Sequence, residues 1–337
     1  MILLLGASGY IGGAFAMELQ RRKVAFTPLS RGRVDYTRFD VLLDFLKASK
    51  PEFVINAAGY TGKPNVDACE LHKADTLAGN TLLPQSIAHA CAAAGIPWGH
   101  VSSGCIFSGA KIVETRSGVS AERRTIGREN GGSLPTAATR IEKDMTKPEL
   151  HVLVERSPES IHGFTETDTP NFSFRDGPCS FYSGTKALGE EAMAGIGQSY
   201  VWRLRIPFDE VDGARNYLSK VQRYAKVYDN VNSISHRADF VRACLDLWQH
   251  RAPFGVYNVT NPGFVTTRQV VGLIERVLKP ARKFEFWSSD EEFYKVAAKT
   301  PRSNCVMDVS KLLAAGVKMR PVLEALEDSL KNWKPEK

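Results

Sequence analysis

The sequence predicts a doubly wound α/β fold, a parallel sheet with helices on both faces (a Rossmann domain), joined to a smaller C-terminal subdomain. Three observations predict it. The strand candidates of the first half are short and almost wholly apolar, as strands buried on both faces must be. They alternate with segments of helical spacing, which puts crossover helices between parallel strands. A glycine-rich turn, Gly6-Ala7-Ser8-Gly9-Tyr10-Ile11-Gly12, joins the first strand to the first helix.

The elements follow in order. Ile2–Leu5 reads as a buried strand, Tyr10–Arg22 as a helix and Val24–Leu29 as the second strand. Phe39–Lys47 is helical, with Leu42, Leu43 and Leu46 on one face, and Phe53–Asn56 is the third strand. A long helical stretch over Val66–Ala94, broken near Pro84, leads to the strand Trp98–Ser102. The alternation resumes with Tyr182–Ala194 (helix), Tyr200–Leu204 (strand), Ala238–His250 (helix) and Gly255–Val259 (strand). Residues 109–163 are polar and too long for an ordinary connection. They read as a surface insertion, helical only over Pro148–Ile161. Beyond Thr266, helices at 266–278, 290–297 and 321–333 surround one strand, Lys283–Trp287. The expected division is therefore a nucleotide-binding domain of 1–108 with 164–206 and 227–260, the insertion 109–163, and a substrate-binding subdomain of 207–226 with 261–337.

Composition narrows the function classes. The chain has 337 residues, 43% hydrophobic and 24% charged, which is ordinary globular composition. Its net charge of +7 suits anionic ligands. The densest basic cluster, Gln20-Arg21-Arg22-Lys23, reads as a solvated helix end, so nucleic acid is not an expected partner. The six cysteines are scattered without a Cys-x-x-Cys pair, which argues for reduced thiols and against a zinc site. Met1–Leu5 is too short for a leader's apolar core, and no run approaches a membrane span. The expectation is a cytoplasmic protein with no membrane and no metal.

The glycine turn has a chemical meaning in this context. Gly6 permits the tight turn, Gly9 lets backbone approach a pyrophosphate, and Gly12 lets helix and strand pack closely. The phosphates of a dinucleotide then face the N–H groups at the helix start, around Ser8, Tyr10 and Ile11. An acid at the end of the second strand would hydrogen-bond the ribose 2′-hydroxyl of NAD. Ser30-Arg31-Gly32-Arg33 stands there instead, a hydroxyl and two guanidinium groups suited to a 2′-phosphate. NADPH is thus the expected cofactor, with Asp35 keeping NADH open.

Tyr182-Ser183-Gly184-Thr185-Lys186 places a tyrosine and a lysine four apart on one face of a helix. A free phenol, with a pKa near ~10, is a slow proton donor at neutral pH. An ammonium group beside it is expected to bring it toward the working range. Asn56-Ala57-Ala58-Gly59 after the third strand and Ser102-Ser103 after the fourth complete the pattern. With these motifs the chain resembles the extended short-chain dehydrogenase/reductases.

Further blocks resemble one branch, the nucleotide-rhamnose synthase/epimerase-reductases, which are related to dTDP-4-dehydrorhamnose reductase. They are Gly59–Asp67 with Cys69-Glu70, Gly104-Cys105-Ile106-Phe107, Thr169-Pro170-Asn171-Phe172, Ser180-Phe181-Tyr182-Ser183 and Arg203-Leu204-Arg205-Ile206-Pro207. Arg215–Lys220, Tyr257–Gly263 and Pro301-Arg302-Ser303-Asn304 continue the match to near the end of the chain. Two departures stand out. The 109–163 insertion is longer than the family's usual connection. Ser103 replaces the usual Thr before Gly-Cys and keeps its hydroxyl.

The resemblance implies that Tyr182 protonates a carbonyl oxygen as hydride arrives from the nicotinamide. Ser103 would hydrogen-bond that oxygen, and Lys186 would hold the ribose and tune Tyr182. Asn56, Ala57 and Ala58 would line the cofactor. The implied substrate is a UDP- or dTDP-linked 4-keto-6-deoxy sugar. The protons on its C3 and C5 flank a ketone, so a base can remove them as an enolate, and an acid on the opposite face inverts the centre. Cys105 and Lys220 are the implied pair for that step. Lys63, Asn65, Asn171, Asn216, Arg302 and Asn304 are the expected substrate contacts, with Arg302 on the diphosphate. A homodimer is the oligomer the resemblance suggests.

Three other activities stay open at this point. A plain 4-reductase would need neither Cys105 nor Lys220. A GDP-4-keto-6-deoxymannose epimerase/reductase would pair its Cys with a His rather than a Lys. A cofactor-binding regulatory subunit would have no need of both Tyr182 and Lys186.

Overall fold

The computed structural model describes residues 1–63, 65–113, 139–142, 154–155 and 157–335. Six parallel strands form the central sheet: β1 (Ile2–Leu5), β2 (Phe26–Leu29), β3 (Phe53–Asn56), β4 (Trp98–Ser103), β5 (Ser199–Leu204) and β6 (Gly255–Asn258). Their order is β6-β5-β4-β3-β1-β2, and every pairing is parallel. Successive strand residues point to opposite faces, so Ile2 and Leu4 enter one core while Leu3 and Leu5 enter the other. On the first face lie α1 (Tyr10–Arg21) and, later in the chain, the helix Arg237–Gln249. On the second lie α2 (Phe39–Ser49), α3 (Leu83–Ala94) and α4 (Phe181–Met193). The predicted fold class is the observed one.

Chain order reverses between β1 and β3, so the crevice at their carboxyl ends is the topological switch point where such sheets bind ligands. Gly6 leaves β1 with a φ of +76°, and a Cβ there would sit 2.6 Å from the Ala58 nitrogen beyond β3. Both the positive φ and this close approach require glycine.

The stretch predicted as one helix over 66–94 is several. Ala68–Leu71 and Lys73–Leu77 precede a π turn at Ala78–Leu82, and Pro84 sits at the start of α3 rather than at a break. The π turn aims the buried Asn80 at Tyr60, accepting from its N–H (2.9 Å) and donating to its carbonyl (2.9 Å). The loop after β3 is thereby pinned, which is a physical reason to interrupt the helix.

A second body packs over the carboxyl edge. It holds α5 (Tyr217–Arg223), α7 (Thr267–Leu278) and α8 (Val322–Lys331), while α6, the helix Arg237–Gln249, stays on the first face of the large sheet. Phe208, Leu218, Val221, Val227, Ile234, Val270, Ile274 and Leu326 share its core. Residues 227–236 therefore go with this body and not with the nucleotide-binding domain as predicted. Ser235–His236 pairs with Pro207–Phe208, and Val231–Asn232 with Val265–Thr266, which ties that segment to the smaller core. In turn the helix Ser310–Ala314, unpredicted, packs Leu312 back onto the first face of the large sheet.

Within the insertion, Thr139–Glu142, Ala110–Val113 and Ile161–His162 form a three-stranded antiparallel sheet. Of the helix predicted over 148–161, residues 148–153 and 156 lie outside the described residues. Its end is a 3₁₀ turn, Pro158–Ser160, running into a strand. Among the described residues no helix is long and apolar enough to cross a membrane.

Candidate active site

The glycine turn opens α1 with Gly9 at its N-cap, no side-chain cap and no acid in the first turn. Its first N–H groups and the positive end of the helix dipole are thus left for an anion. A Cβ on Gly12 would lie 2.0 Å from the Gly6 carbonyl oxygen, so only glycine allows α1 to start this close to β1. Ser30 and Arg31 are exposed at the end of β2. Tyr10 stacks beneath the Arg237 guanidinium, 4.5 Å away, so its side chain fastens α1 to α6 and only its backbone faces the turn. Asn56 is fully buried: it accepts from the Ala58 N–H (3.0 Å) and contacts His100 Nδ1 (3.0 Å). Its contribution is to shape the Asn56–Gly59 turn, which Ala57 and Ala58 complete. His100 is held uncharged by burial, with Lys186 adding to the effect. These residues fit a dinucleotide along the switch point.

Tyr182 and Lys186 come from the first two turns of α4. Ser180 caps that helix, accepting from the Ser183 N–H at 3.1 Å. Glu70 accepts from the Phe181 N–H (2.7 Å) and the Thr300 hydroxyl (2.9 Å), so the helix start is held from two sides. Tyr182 is 8% exposed and Lys186 5%. Burial pushes the Tyr182 phenol well above its ordinary range and Cys105 adds to this, while Ser103's hydrogen bond and the Arg205 guanidinium oppose it. The predicted lowering by a neighbouring ammonium is therefore not the net effect here. Lys186 is itself brought down to about 8 by burial, against Glu190 and Cys105. Its Nζ lies 3.5 Å from the Val101 carbonyl and as close to where a Gly59 side chain would stand. Tyr182 thus stays protonated at neutral pH, as a proton donor must.

Ser103 ends β4 and caps the short turn Gly104–Ile106, its Oγ accepting from the Cys105 N–H (3.2 Å). Cys105 is half-buried, and its sulfur accepts from Arg205 Nη1 at 2.9 Å. Arg205 is 2% exposed; its Nη2 donates to Asn232 Oδ1 (2.5 Å) and the Ser303 carbonyl (2.6 Å), and its Nε has no partner. Burial opposes its charge, but the sulfurs of Cys305 and Cys105 favour the guanidinium overall. Ser103, Cys105, Tyr182 and Arg205 therefore form one cluster.

The other wall of the cleft is α5 and the 300–305 strip. Bonds that tie this region to the first wall include Arg215 Nη1 to Thr61 Oγ1 (2.7 Å), Arg302 Nη2 to Asp67 Oδ2 (2.7 Å), Ser303 Oγ to the Phe107 carbonyl (2.6 Å) and Thr300 Oγ1 to Glu70 (2.9 Å). Lys220 is half-buried on α5, and no carboxylate pairs with it among the described residues. Burial lowers its ammonium below the usual lysine range, and Arg215 adds to the effect.

One expected substrate contact is corrected. Asn216 is wholly buried as the N-cap of α5, its amide donating to Asp209 and Val211 while its oxygen accepts from the Leu218 N–H. Asn171 clamps Ser108 through both halves of its amide (2.9 and 3.0 Å). Asn216, wholly buried with its amide spent inside the protein, builds the wall rather than touching a ligand, whereas Asn171 is half-buried. Asn65 caps Asp67 (2.8 Å), and Arg302, held by that Asp67, keeps Nη1 buried without a partner. Lys63 is exposed beside them, and Asn304, half-buried, accepts from the Gly109 N–H through its carbonyl (2.6 Å).

Sequence reasoning assigned no role to Arg205 or to Glu190. A signal existed: two arginines alternate in the otherwise apolar run Tyr200–Ile206, where a buried charge needs a partner.

Comparisons with known proteins agree with this geometry. The family model for the RmlD substrate binding domain matches residues 1–118. A trifunctional UDP-glucose 4,6-dehydratase/UDP-4-keto-6-deoxy-D-glucose 3,5-epimerase/UDP-4-keto-L-rhamnose-reductase of Arabidopsis thaliana is 29% identical over 97% of this chain, which spans 40% of that protein's length. A bifunctional dTDP-4-dehydrorhamnose 3,5-epimerase/dTDP-4-dehydrorhamnose reductase of the same plant is 27% identical over 96% of this chain and 90% of its own. Among solved structures, a UDP-rhamnose synthase from Acanthamoeba polyphaga mimivirus superposes with a TM-score of 0.76 at 20% identity over 98% of both chains. A dTDP-4-dehydrorhamnose reductase of Bacillus anthracis, in complex with NADP, gives 0.70 at 17% identity over 98% and 97%. The chain is thus similar to dTDP-4-dehydrorhamnose reductases and to rhamnose synthase/epimerase-reductases, as its motifs suggested.

Proposed function

We propose that this protein is an NADPH-dependent 3,5-epimerase/4-reductase that turns a UDP- or dTDP-linked 4-keto-6-deoxyglucose into the L-rhamnose nucleotide. The observation that carries the reading is the cluster of Ser103, Cys105, Tyr182 and Arg205 at the carboxyl edge, together with a half-buried Lys220 on α5. A plain reductase would use Ser103 and Tyr182 but has no task for a thiol beside them or for a half-buried lysine without a counter-charge.

NADPH, when bound, supplies hydride. Gly6, Ser8, Gly9, Tyr10, Ile11 and Gly12 would hold its diphosphate through backbone, Ser30 and Arg31 its 2′-phosphate, and Ala57, Ala58 and Lys186 the neighbourhood of the nicotinamide ribose. Ser103 and Tyr182 hydrogen-bond the C4 ketone, which acidifies the C–H bonds at C3 and C5. Cys105 or Lys220 takes one of those protons, and the other returns a proton to the opposite face. After inversion Tyr182 gives its phenolic proton to the C4 oxygen. Arg302, with Lys63, Asn65 and Asn304 nearby, would bind the nucleotide diphosphate at the cleft mouth.

The test is to follow NADPH absorbance while supplying each 4-keto-6-deoxyglucose nucleotide, and to read the product by NMR. An L-rhamnose nucleotide with stoichiometric NADPH oxidation supports the reading. A product of unchanged configuration at C3 and C5 leaves a plain reductase, and tight NADPH binding without oxidation leaves a regulatory subunit.

A further inference from the structure

Arg205 sits in the wall of the site with nothing conventional to neutralise it. A guanidinium removed from water needs a counter-charge, or its desolvation stands as an uncompensated penalty. Among the described residues no carboxylate pairs with Arg205; its partners are an amide oxygen, a peptide carbonyl and the Cys105 sulfur. The amide and the carbonyl are neutral. Cys105 is the group within hydrogen-bond reach that can become an anion by losing a single proton.

The surroundings point the same way. Lys186, Tyr182 and Cys305 are the other titratable groups near Cys105. Lys186 is a second cation, Tyr182 stays protonated, and burial pushes the Cys305 thiol up to about 11, so it remains neutral. Arg205 is also fixed in place. Asn232 and Ser303 grip its Nη2, the Gly104 position abuts its stem, and β5 is anchored in the sheet. A fork held this firmly aims the sulfur it touches.

We infer that Arg205 is the positioning residue of the proton-transfer step, holding Cys105 as a thiolate and directing that sulfur into the cleft. This rests on the reading of Cys105 as the acid/base at the keto sugar. As the C–H bond at the inverted carbon breaks, an S–H bond forms and the electron pair passes into the enolate, whose oxygen Ser103 and Tyr182 hold. The negative charge leaves the sulfur for the C4 oxygen, the Lys220 ammonium delivers a proton to the opposite face of the carbon, and Arg205 recovers its counter-ion when the thiol proton passes through water to the Lys220 amine.

The experiment uses the full-length protein at neutral pH without substrate. Iodoacetamide labelling of Cys105 is timed by peptide mass spectrometry, with Cys179, the other half-buried cysteine, as internal reference. The thiolate is the reacting species, so Cys105 should label about tenfold or more faster than Cys179. Arg205→Lys, which keeps a cation, should retain most of the difference, and Arg205→Met should abolish it. Equal rates at the two cysteines in the unaltered protein would overturn the inference, and so would a rate at Cys105 unchanged by Arg205→Met. If the methionine variant does not fold, the comparison of the two cysteines in the unaltered protein still decides. Because no substrate is present, fast labelling in a protein that fails to epimerise would remove the functional reading and leave the Arg205–Cys105 pair standing.

Discussion

Arg203, in β5, and Arg205, one residue past its end, are both buried and differ in their counter-charge. Arg203 has a carboxylate: its Nη2 meets Glu190 Oε2 at 2.8 Å in a buried pair that Ser102 completes through Glu190 Oε1. Arg205 has a thiol. In the first arrangement charge and counter-charge are both internal to β5 and α4, with Arg203 Nη1 alone left without a partner. The second is open, because its balance depends on the protonation of a residue that faces the cleft. The difference separates a charge that holds the framework from one that serves the chemistry.

That comparison can be broken or sharpened by a graded set of variants. The largest expected effect is catalytic. Tyr182→Phe removes the proton donor without disturbing α4 and should lower the reduction rate about 10²- to 10⁴-fold, with NADPH binding retained in a fluorescence titration. Next comes the Arg203–Glu190 pair. Arg203→Met strands Glu190 as a buried charge and should cost about 3–5 kcal/mol in denaturant unfolding. Arg205→Met removes a cation that had no carboxylate, so the relieved desolvation offsets its lost hydrogen bonds. Its stability loss should be less than half that of Arg203→Met. Equal losses would erase the distinction between the two arginines.

A smaller effect concerns pH. Lys186 titrates near 8 in the folded chain against about 10.4 for an exposed lysine, because burial disfavours its charge. Between those values the unfolded chain binds more protons than the folded one, so stability rises with pH through that window and is lowest below it. Activity runs the other way. The kcat/KM for reduction should fall as pH passes about 8 and the ammonium is lost, and the descending limb should move in Lys186→Arg. The smallest effect lies at the cofactor's edge: Arg31→Gln should raise the KM for NADPH about tenfold, as expected for one charge-assisted hydrogen bond, and leave that for NADH little changed.

Most of the framework was legible because it rests on local rules. Apolar strands, helical spacing and Gly6–Gly12 predict a doubly wound sheet, and Tyr182 with Lys186 needs only the pitch of a helix to share a face. What could not be read depends on partners far along the chain. Asn216 looked like a polar substrate contact until the fold spent its amide on Asp209 and Val211. The π turn at Ala78–Leu82 exists to serve Tyr60, some twenty residues upstream, and no periodicity announces it. Residues 227–236 read as part of the nucleotide-binding domain because they precede α6. They belong to the smaller core through strand pairings with 207–208 and 265–266. The net rise at Tyr182 was missed for the same reason: charge proximity follows from a helical spacing, but the burial that outweighs it does not.

The central claim is that one site both inverts and reduces, and it is tested most directly with the reductant left out. Incubated in deuterated water with the 4-keto-6-deoxyglucose nucleotide and no NADPH, the protein should place deuterium at C3 and C5, and Cys105→Ala should not. Exchange that persists in Cys105→Ala, or is absent from the unaltered protein while added NADPH is still oxidised, would contradict the account.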